Sequence, residues 1–303
     1  MRSQLMGLRR ILRRKLLNFF GKFSRKYSKR NAIRIMDQDW DYLIIIDACR
    51  YDLFSRFVKR NAPYVISGGS TTQEWLKWNF NGNYNDVICI SSNPRLSNLN
   101  LAKTFGFNPF FKTIDVWDYG WDNKLRTVPP KEVTRATLNM VEEYPNKRIL
   151  IHYNQPHRPY IGDAEFIEIL DNLRNESKYI NPELGELDLW KVIKKNKIPL
   201  RRVWIAYIRT LRLVMNEIYK LVDQLNGKVV ISSDHGNLMG EYFKFSHIPH
   251  LRVKHLVKVP WLILKNDKHR FIPGQHLKLE DEKSNEIKSI KKSIRALINE
   301  KKL

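Results

Sequence analysis

Two cysteines in 303 residues, Cys49 and Cys89, leave no disulfide framework. Both lie in or beside apolar strand-like runs, where reduced, buried thiols are expected. Thirteen glycines and thirteen prolines are too few for a collagen-like or Pro/Gly-rich disordered chain. No apolar run nears the roughly eighteen residues that span a bilayer; the longest clean one, Leu43–Ile46, stops at Asp47. A secretory signal is not expected either, because Arg9, Arg10, Arg13, Arg14 and Lys15 interrupt the place of its hydrophobic region. The expectation is a cytoplasmic chain, peripheral at the inner face of the membrane. Acids are also missing where bases are dense: residues 1–34 hold twelve Lys/Arg and no Asp or Glu.

That segment carries about half of the formal charge of +23. Leu5, Leu8, Leu12, Leu16, Phe19 and Phe23 recur every three or four residues within it, which predicts a basic amphipathic helix. Such a helix either lies on an anionic membrane surface or docks on its own domain. Nucleic acid is disfavoured as a partner, since nothing resembles a helix-turn-helix, a zinc finger or an aromatic-studded RNA-binding sheet. The organisation expected is a basic arm over 1–36, a catalytic domain over 37–272 and a charged C-terminal helical segment over 273–303.

Between the ends, near-continuous apolar runs predict strands at Tyr42–Asp47, Tyr64–Ser67, Val87–Ser91, Arg148–Tyr153, Lys228–Ser233 and Trp261–Leu264. Helical patterns fall at Tyr51–Arg60, Thr72–Asn79, Pro130–Glu143, Ala164–Leu173 and Ile205–Leu225. Alternation of the two predicts an α/β fold with a mostly parallel sheet flanked by helices. Asn175–Leu200, of mixed charge with Pro182 and Pro199, reads as an insertion or lid.

Ligands of such sheets gather beyond the carboxyl ends of the strands. One buried run ends in Asp47-Ala-Cys-Arg50-Tyr-Asp52, and another in Ser-Ser-Asp234-His235-Gly236. Carboxylates and an imidazole delivered to one edge favour a divalent cation. Gly68-Gly69-Ser70-Thr71-Thr72-Gln73-Glu74 places hydroxyls at a helix start, where capping is their ordinary use and nucleophilic attack beside a metal the special one.

Strand-Asp-Ala-x-Arg-x-Asp, a hydroxyl at a helix start, His152-x(4)-His157-x-Pro-Tyr and Ser-Asp-His-Gly followed by a further His together resemble the sulfatase-like branch of the alkaline phosphatase superfamily. The resemblance spans about Asp41 to Leu264. It implies an alkaline-phosphatase-like sheet and metal-assisted displacement at phosphorus or sulfur. Asp47, Asp234 and His235 would be metal ligands, and Thr71, as the central hydroxyl, both nucleophile and fourth ligand. His157 and His247 would act on the anionic oxygens or the leaving group, with His152 and Arg50 also on the substrate; Arg50 would otherwise orient Asp47. The cofactor implied is one divalent ion: Mn, Zn or Ca.

Neither Cys nor Ser stands at position 71, and the Pro and Arg that follow a sulfatase nucleophile are missing, so formylglycine is not expected. No Asp lies between His152 and His157, which favours one metal over two. The expected function is hydrolysis or transfer of a phosphate ester, sulfate being second, on an anionic sugar, glycan or lipid-headgroup substrate. The alternative is an inactive scaffold that binds a membrane surface or glycan, motivated by Asn237 in place of the usual acid and by the basic arm. His250 and His255, and the aromatics Trp75, Trp78, Trp117, Tyr119 and Trp121, are further candidates for site contact.

Overall fold

The computed structural model describes residues 25–58, 61–174, 189–243 and 245–266. The predicted amphipathic helix up to residue 24, most of the insertion and the C-terminal segment from 267 lie outside them. In chain order the elements are β1 (Tyr42–Ile46), α1 (Tyr51–Phe57), β2 (Tyr64–Ile66), α2 (Thr72–Asn79), β3 (Tyr84–Ser91), α3 (Asn98–Phe105), β4 (Phe110–Asp115), α4 (Val116–Tyr119), α5 (Pro130–Glu143) and β5 (Arg148–Tyr153). They continue with α6 (Ala164–Arg174), α7 (Leu189–Lys195), α8 (Leu200–Val222), β6 (Lys228–Ser232), β7 (Leu238–Met239), β8 (Phe245–Ser246), α9 (Lys254–Val257) and β9 (Lys258–Asn266).

Seven strands form one sheet in the order β2-β9-β6-β1-β5-β3-β4, with β7 and β8 as a separate ribbon. β9 runs antiparallel to β6 and β2; the other pairings are parallel. The expected mostly parallel α/β sheet is therefore present. β1 sits at its centre, and β-branched residues suit its pleated, doubly covered position. Tyr42, Ile44 and Ile46 pack against Leu211, Met215 and Ile218 of α8 on one face. Leu43 and Ile45 meet Trp75, Leu76 and Phe80 on the other.

β4 and α3 go beyond the expected elements. β4 is an edge strand that buries only Phe110 and Thr113, so it lacks a continuous apolar run. α3 is set by its ends: Ser97 caps the Asn100 N–H, and Gly106 closes the helix at φ 82°. α8 begins at Leu200 rather than Ile205, with Pro199 as its N-cap. Val192 and Ile193 of α7 pack with Tyr160, Phe166 and Tyr207. Residues 25–37 dock on the domain: the Ile35 N–H donates to Asn79 Oδ1 at 2.9 Å, and Arg34 lies 4.7 Å above the Trp78 ring.

Because Ile44 is completely buried at the centre of the sheet, Ile44→Ala is expected to lower the unfolding free energy by about 2–5 kcal/mol. Leu99→Ala, at an 80% exposed position, should change it by less than about 0.5 kcal/mol. Urea denaturation of both variants checks the contrast.

Candidate metal centre and active site

The parallel register decides which residues meet. Ile45 of β1 lies opposite His152 on one side and Ser232 on the other. The next turns therefore bring Asp47 and Asp234 to the same edge as His152. Two bonds tie those turns together: the Ala48 N–H donates to Asp234 Oδ1 at 3.1 Å and the Cys49 N–H to Ser233 Oγ at 2.9 Å. Ala48 reaches this bond in a left-handed conformation, φ 56°, which costs a non-glycine residue about 1–2 kcal/mol. Gly236 follows because a Cβ there would stand 2.1 Å from the His255 carbonyl oxygen.

Asp234 is fully buried. Its Oδ1 also accepts the His235 N–H at 2.8 Å, and its Oδ2 accepts the Thr72 hydroxyl at 2.8 Å. Asp47 Oδ2 accepts from the Asn93 amide at 2.7 Å, while its Oδ1 is buried with no partner among the described residues. His235 Nε2 lies 3.3 Å from Asp234 Oδ2 and 3.8 Å from Asp47 Oδ1. Its Nδ1 is 2.8 Å from the Gly236 carbonyl, which can only accept, so Nδ1 carries a proton; in the neutral ring Nε2 then turns a lone pair toward the carboxylates. A lone pair beside two carboxylates is repulsive unless a cation sits among them.

His152 joins this group. It is completely buried, its Nε2 is 4.0 Å from Asp234 Oδ2, and neither ring nitrogen has a hydrogen-bond partner among the described residues. One ligand atom from each of Asp47, His152 and Asp234 lies within 4.8 Å of the others. Burial pushes the His152 pKa down to about 4, so the ring is neutral. Burial, then the charge of Asp234, pushes Asp47 well above the carboxylate range. The residues thus fit a divalent cation: anionic and neutral donors, orphaned atoms and no competing base. His152 shares the buried carboxylate cluster instead of lying on an open substrate face.

The three consecutive hydroxyls divide their work. Gly69 allows the tight entry to α2, since a Cβ there would lie 2.3 Å from the Trp75 nitrogen. Ser70 directs its hydroxyl to Glu74 Oε2, 2.7 Å, and the Ile248 carbonyl, 2.9 Å. Thr71 is the N-cap, its Oγ1 accepting the Glu74 N–H at 3.3 Å. Thr72 is the hydroxyl at the cluster, 2.8 Å from Asp234 Oδ2 and 3.2 Å from His235 Nε2. Of the three hydroxyls it is Thr72, and not the expected Thr71, that lies against the Asp234 and His235 side chains, while Thr71 caps α2.

His157 and His247 complete one wall. The His247 ring centroid lies 4.5 Å from that of His235 and 5.5 Å from that of His157. His157 Nδ1 faces the Arg158 carbonyl at 2.8 Å, which leaves a lone pair at Nε2. Burial, then the Arg158 charge, lowers the His157 pKa to about 3; burial, then His235, lowers that of His247. A neutral ring with its Nε2 lone pair free accepts a proton or a cation and does not donate to an anionic oxygen. Arg95 and Arg158 both bias His247 electrostatically. Asn93, Arg95 and Arg158 carry no motif in the sequence; Asn93 is marked only by its place at the end of β3.

Arg50 does not reach Asp47 or the cluster. Its Nε and Nη2 bond Asp52 at 3.0 and 2.8 Å, and its Nη1 bonds Glu241 at 2.7 Å and the Asn237 carbonyl at 3.1 Å. Buried over Trp204, it clamps the turn after β1 to the turn after β6. His255 faces Glu241 at 4.0 Å, and His250 pairs with Glu74 at the surface. Neither joins the metal cluster. Trp75 packs in the core, with its ring 6.3 Å from that of His152, whereas Tyr119 and Trp121 are exposed.

No protein-family model and no curated protein matches the sequence. Solved structures similar to the chain include the soluble domain of lipooligosaccharide phosphoethanolamine transferase A from Neisseria meningitidis, at 13% identity and TM-score 0.47, covering 73% of this chain and 75% of that one. The lipoteichoic acid synthase LtaP from Listeria monocytogenes is similar at 10% identity and TM-score 0.43, covering 78% of this chain and 66% of that one. An alkaline phosphatase superfamily protein from Vibrio parahaemolyticus is similar at 11% identity and TM-score 0.38, covering 76% and 62%. The likeness is coarse, and no substrate or ligand passes from them to this chain.

Glu74 holds the loop of His247 against α2 through Ser70, the His250 N–H at 2.9 Å and the His250 ring. Burial opposes its charge, but the Ser70 backbone and hydroxyl and His250 hold its pKa below the ordinary value. Its stabilising contribution is full above the unfolded-state pKa and is lost as pH falls through the lowered one. Glu74→Gln should destabilise the protein by about 1 kcal/mol near neutral pH. The difference from wild type should shrink in acid, as measured by thermal unfolding across pH.

Proposed function

We propose that the chain is a metal-dependent phosphotransferase or phosphoesterase with Thr72 as nucleophile. The observation that carries this reading is the Thr72 hydroxyl in contact with Asp234 and His235, in a buried cluster where Asp47 Oδ1 and His152 lack partners. Asp47, Asp234 and His235 would hold the cation, with His152 as a further donor. When bound, a Mn, Zn or Ca ion would acidify a hydroxyl and offset charge on the phosphoryl group.

The chain's own residues account for the rest. Asp234 Oδ2 fixes the Thr72 hydroxyl and accepts its hydrogen. Arg95 and Arg158 supply positive charge toward an incoming anionic ester. Attack by Thr72 Oγ forms one P–O bond while the bond to the leaving oxygen breaks; the hydroxyl proton departs by way of Asp234 Oδ2, and the leaving oxygen takes up a proton from solvent. Water or an acceptor hydroxyl then attacks the phosphothreonine: a new P–O bond forms as the P–Oγ bond breaks, the attacking group gives its proton to His157 Nε2, and the Thr72 oxygen takes a proton back. The anionic substrate offsets Arg158 and so raises the basicity of that ring. Sugar, glycan and lipid-headgroup esters all carry the required group.

Thr72→Ala should reduce turnover of an aryl phosphate ester at least about a thousandfold, whereas Thr71→Ala should retain turnover and lose about 1 kcal/mol of stability with its cap. Equal loss in both would remove the assignment. Chelation should abolish turnover, and a divalent ion should restore it. Full inactivity of the metal-loaded protein on phosphate mono- and diesters would favour the inactive binding scaffold.

No helix among the described residues is long and apolar enough to cross a membrane. Of the basic arm expected over residues 1–34, the part from residue 25 docks on the domain, with Arg34 over the Trp78 ring; we place the part before it on an anionic membrane surface. Cosedimentation with phosphatidylserine vesicles should fall when Arg9, Arg10, Arg13 and Arg14 are replaced by Gln, and should fall further as salt rises.

A further inference from the structure

Only one of the two Asp47 oxygens faces the cluster, and a residue outside the expected set decides which. The backbone around Asp47 is fixed first. Its N–H donates to the Tyr153 carbonyl at 3.0 Å, and the next carbonyl, that of Ala48, accepts the hydroxyl of buried Tyr207 at 3.0 Å. The same hydroxyl accepts the Arg50 N–H at 2.8 Å. With the turn held on both sides, the freedom left to Asp47 is rotation of its carboxylate, a torsion with broad wells. Asn93 removes that freedom. Its Nδ2 donates to Asp47 Oδ2 at 2.7 Å, so that Oδ1, which has no hydrogen-bond partner among the described residues, lies 3.8 Å from His235 Nε2.

Asn93 is itself held from the other flank of the centre. Ser91 lies opposite His152 in the parallel register of β3 and β5. Just beyond, the Ser92 N–H and hydroxyl both donate to the His152 carbonyl at 3.1 Å, and the Asn154 N–H donates to Ser92 Oγ at 2.9 Å. The Asn93 N–H donates to Ser91 Oγ at 3.0 Å, and Asn93 Oδ1 accepts the Arg95 N–H at 3.0 Å. The side-chain oxygen and amide of this buried residue are thus both engaged within the protein. That arrangement suits the orientation of a carboxylate, not the capture of a substrate.

We propose that Asn93 is a positioning residue of the metal centre: it occupies Asp47 Oδ2 and leaves Oδ1 as the atom that meets the cation. The inference rests on the metal-dependent reading given above. Asn93 links the turn after β3 to the turn after β1, and Ser92 beside it holds the end of β5, so one short segment aligns two of the candidate donors, Asp47 and His152. Hydrogen-bond partners of metal ligands are worth about 10–100-fold in metal affinity, because an unrestrained ligand must be ordered each time the metal binds.

Titration of full-length, chelator-stripped protein with Zn²⁺ in competition with a chromogenic chelator tests this and needs no turnover. Asn93→Ala should weaken Zn²⁺ binding about 10–100-fold. Asn93→Ser, whose hydroxyl can still cap the Arg95 N–H but is too short to reach Asp47, should weaken it by a similar factor. Ser97→Ala, which removes the α3 cap from the same segment, should lower the melting temperature and leave Zn²⁺ affinity unchanged. Because Asn93 acts through Asp47, Asn93→Ala added to Asp47→Ala should change the affinity by less than about twofold. Wild-type affinity in both Asn93 variants, an equal loss in Ser97→Ala, or an undiminished effect of Asn93→Ala in the Asp47→Ala background would overturn the proposal. Where Asp47→Ala binds too weakly to measure, the Ser97→Ala comparison decides. A wild-type protein that binds no Zn²⁺ would overturn the metal-dependent reading together with this one, whereas tight wild-type binding matched by the Asn93 variants overturns this proposal alone. Thermal unfolding of the metal-free proteins checks folding, and Asn93→Ser carries the test if Asn93→Ala unfolds.

Discussion

The hydrogen bond from the Ala48 N–H to Asp234 Oδ1 joins the ends of two parallel strands, and the geometry of the centre depends on it. Parallel pairing of β1 between β5 and β6 brings three chain segments to one edge, but pairing alone leaves the turns beyond the strands undefined. The bond fixes both turns at once. It holds Ala48 in a left-handed conformation and so commits the direction of Asp47. It also uses one oxygen of Asp234, leaving the other to face Thr72 and His235. Arg50 reinforces the same junction from behind by bridging Asp52, Glu241 and the Asn237 carbonyl.

Electrostatics then makes the cluster a poor structure without a cation and a good one with it. Two carboxylates buried side by side destabilise each other's charge, and the neutral imidazoles nearby offer lone pairs that add to the electron density. A structural network of this size would be expected to contain protonated donors that satisfy every acceptor. Here the donors are few: Asn93 for Asp47, and Thr72 and backbone N–H groups for Asp234. The cations near the site, Arg95 and Arg158, belong to its loops, and Arg95 offsets part of the charge of Asp47.

Much of the scaffold was legible in the sequence because its signals are local. Apolar β-branched runs ending in Asp47 and in Ser-Ser-Asp234-His235 marked the central strands and the catalytic edge, and the bounds of α2 and α5 followed from helical spacing and their flanking residues. β4 escaped because an edge strand with one solvent-facing side needs no continuous apolar run. The choice among Ser70, Thr71 and Thr72 could not be made locally, since all three are hydroxyls at a helix start. It depended on the placement of Asp234, more than 160 positions away in the chain.

Composition and pattern by themselves determined the class of fold and the carboxylate and imidazole content of the candidate site. Those properties follow from residue type and short-range periodicity, which survive any arrangement of the strands. Tertiary structure decided which atoms meet: Thr72 instead of Thr71 at the cluster, His152 buried between carboxylates, and Arg50 spent on a clamp. Each of these is a long-range contact, and a side chain's role there is set by the partners that already occupy its neighbours' hydrogen bonds.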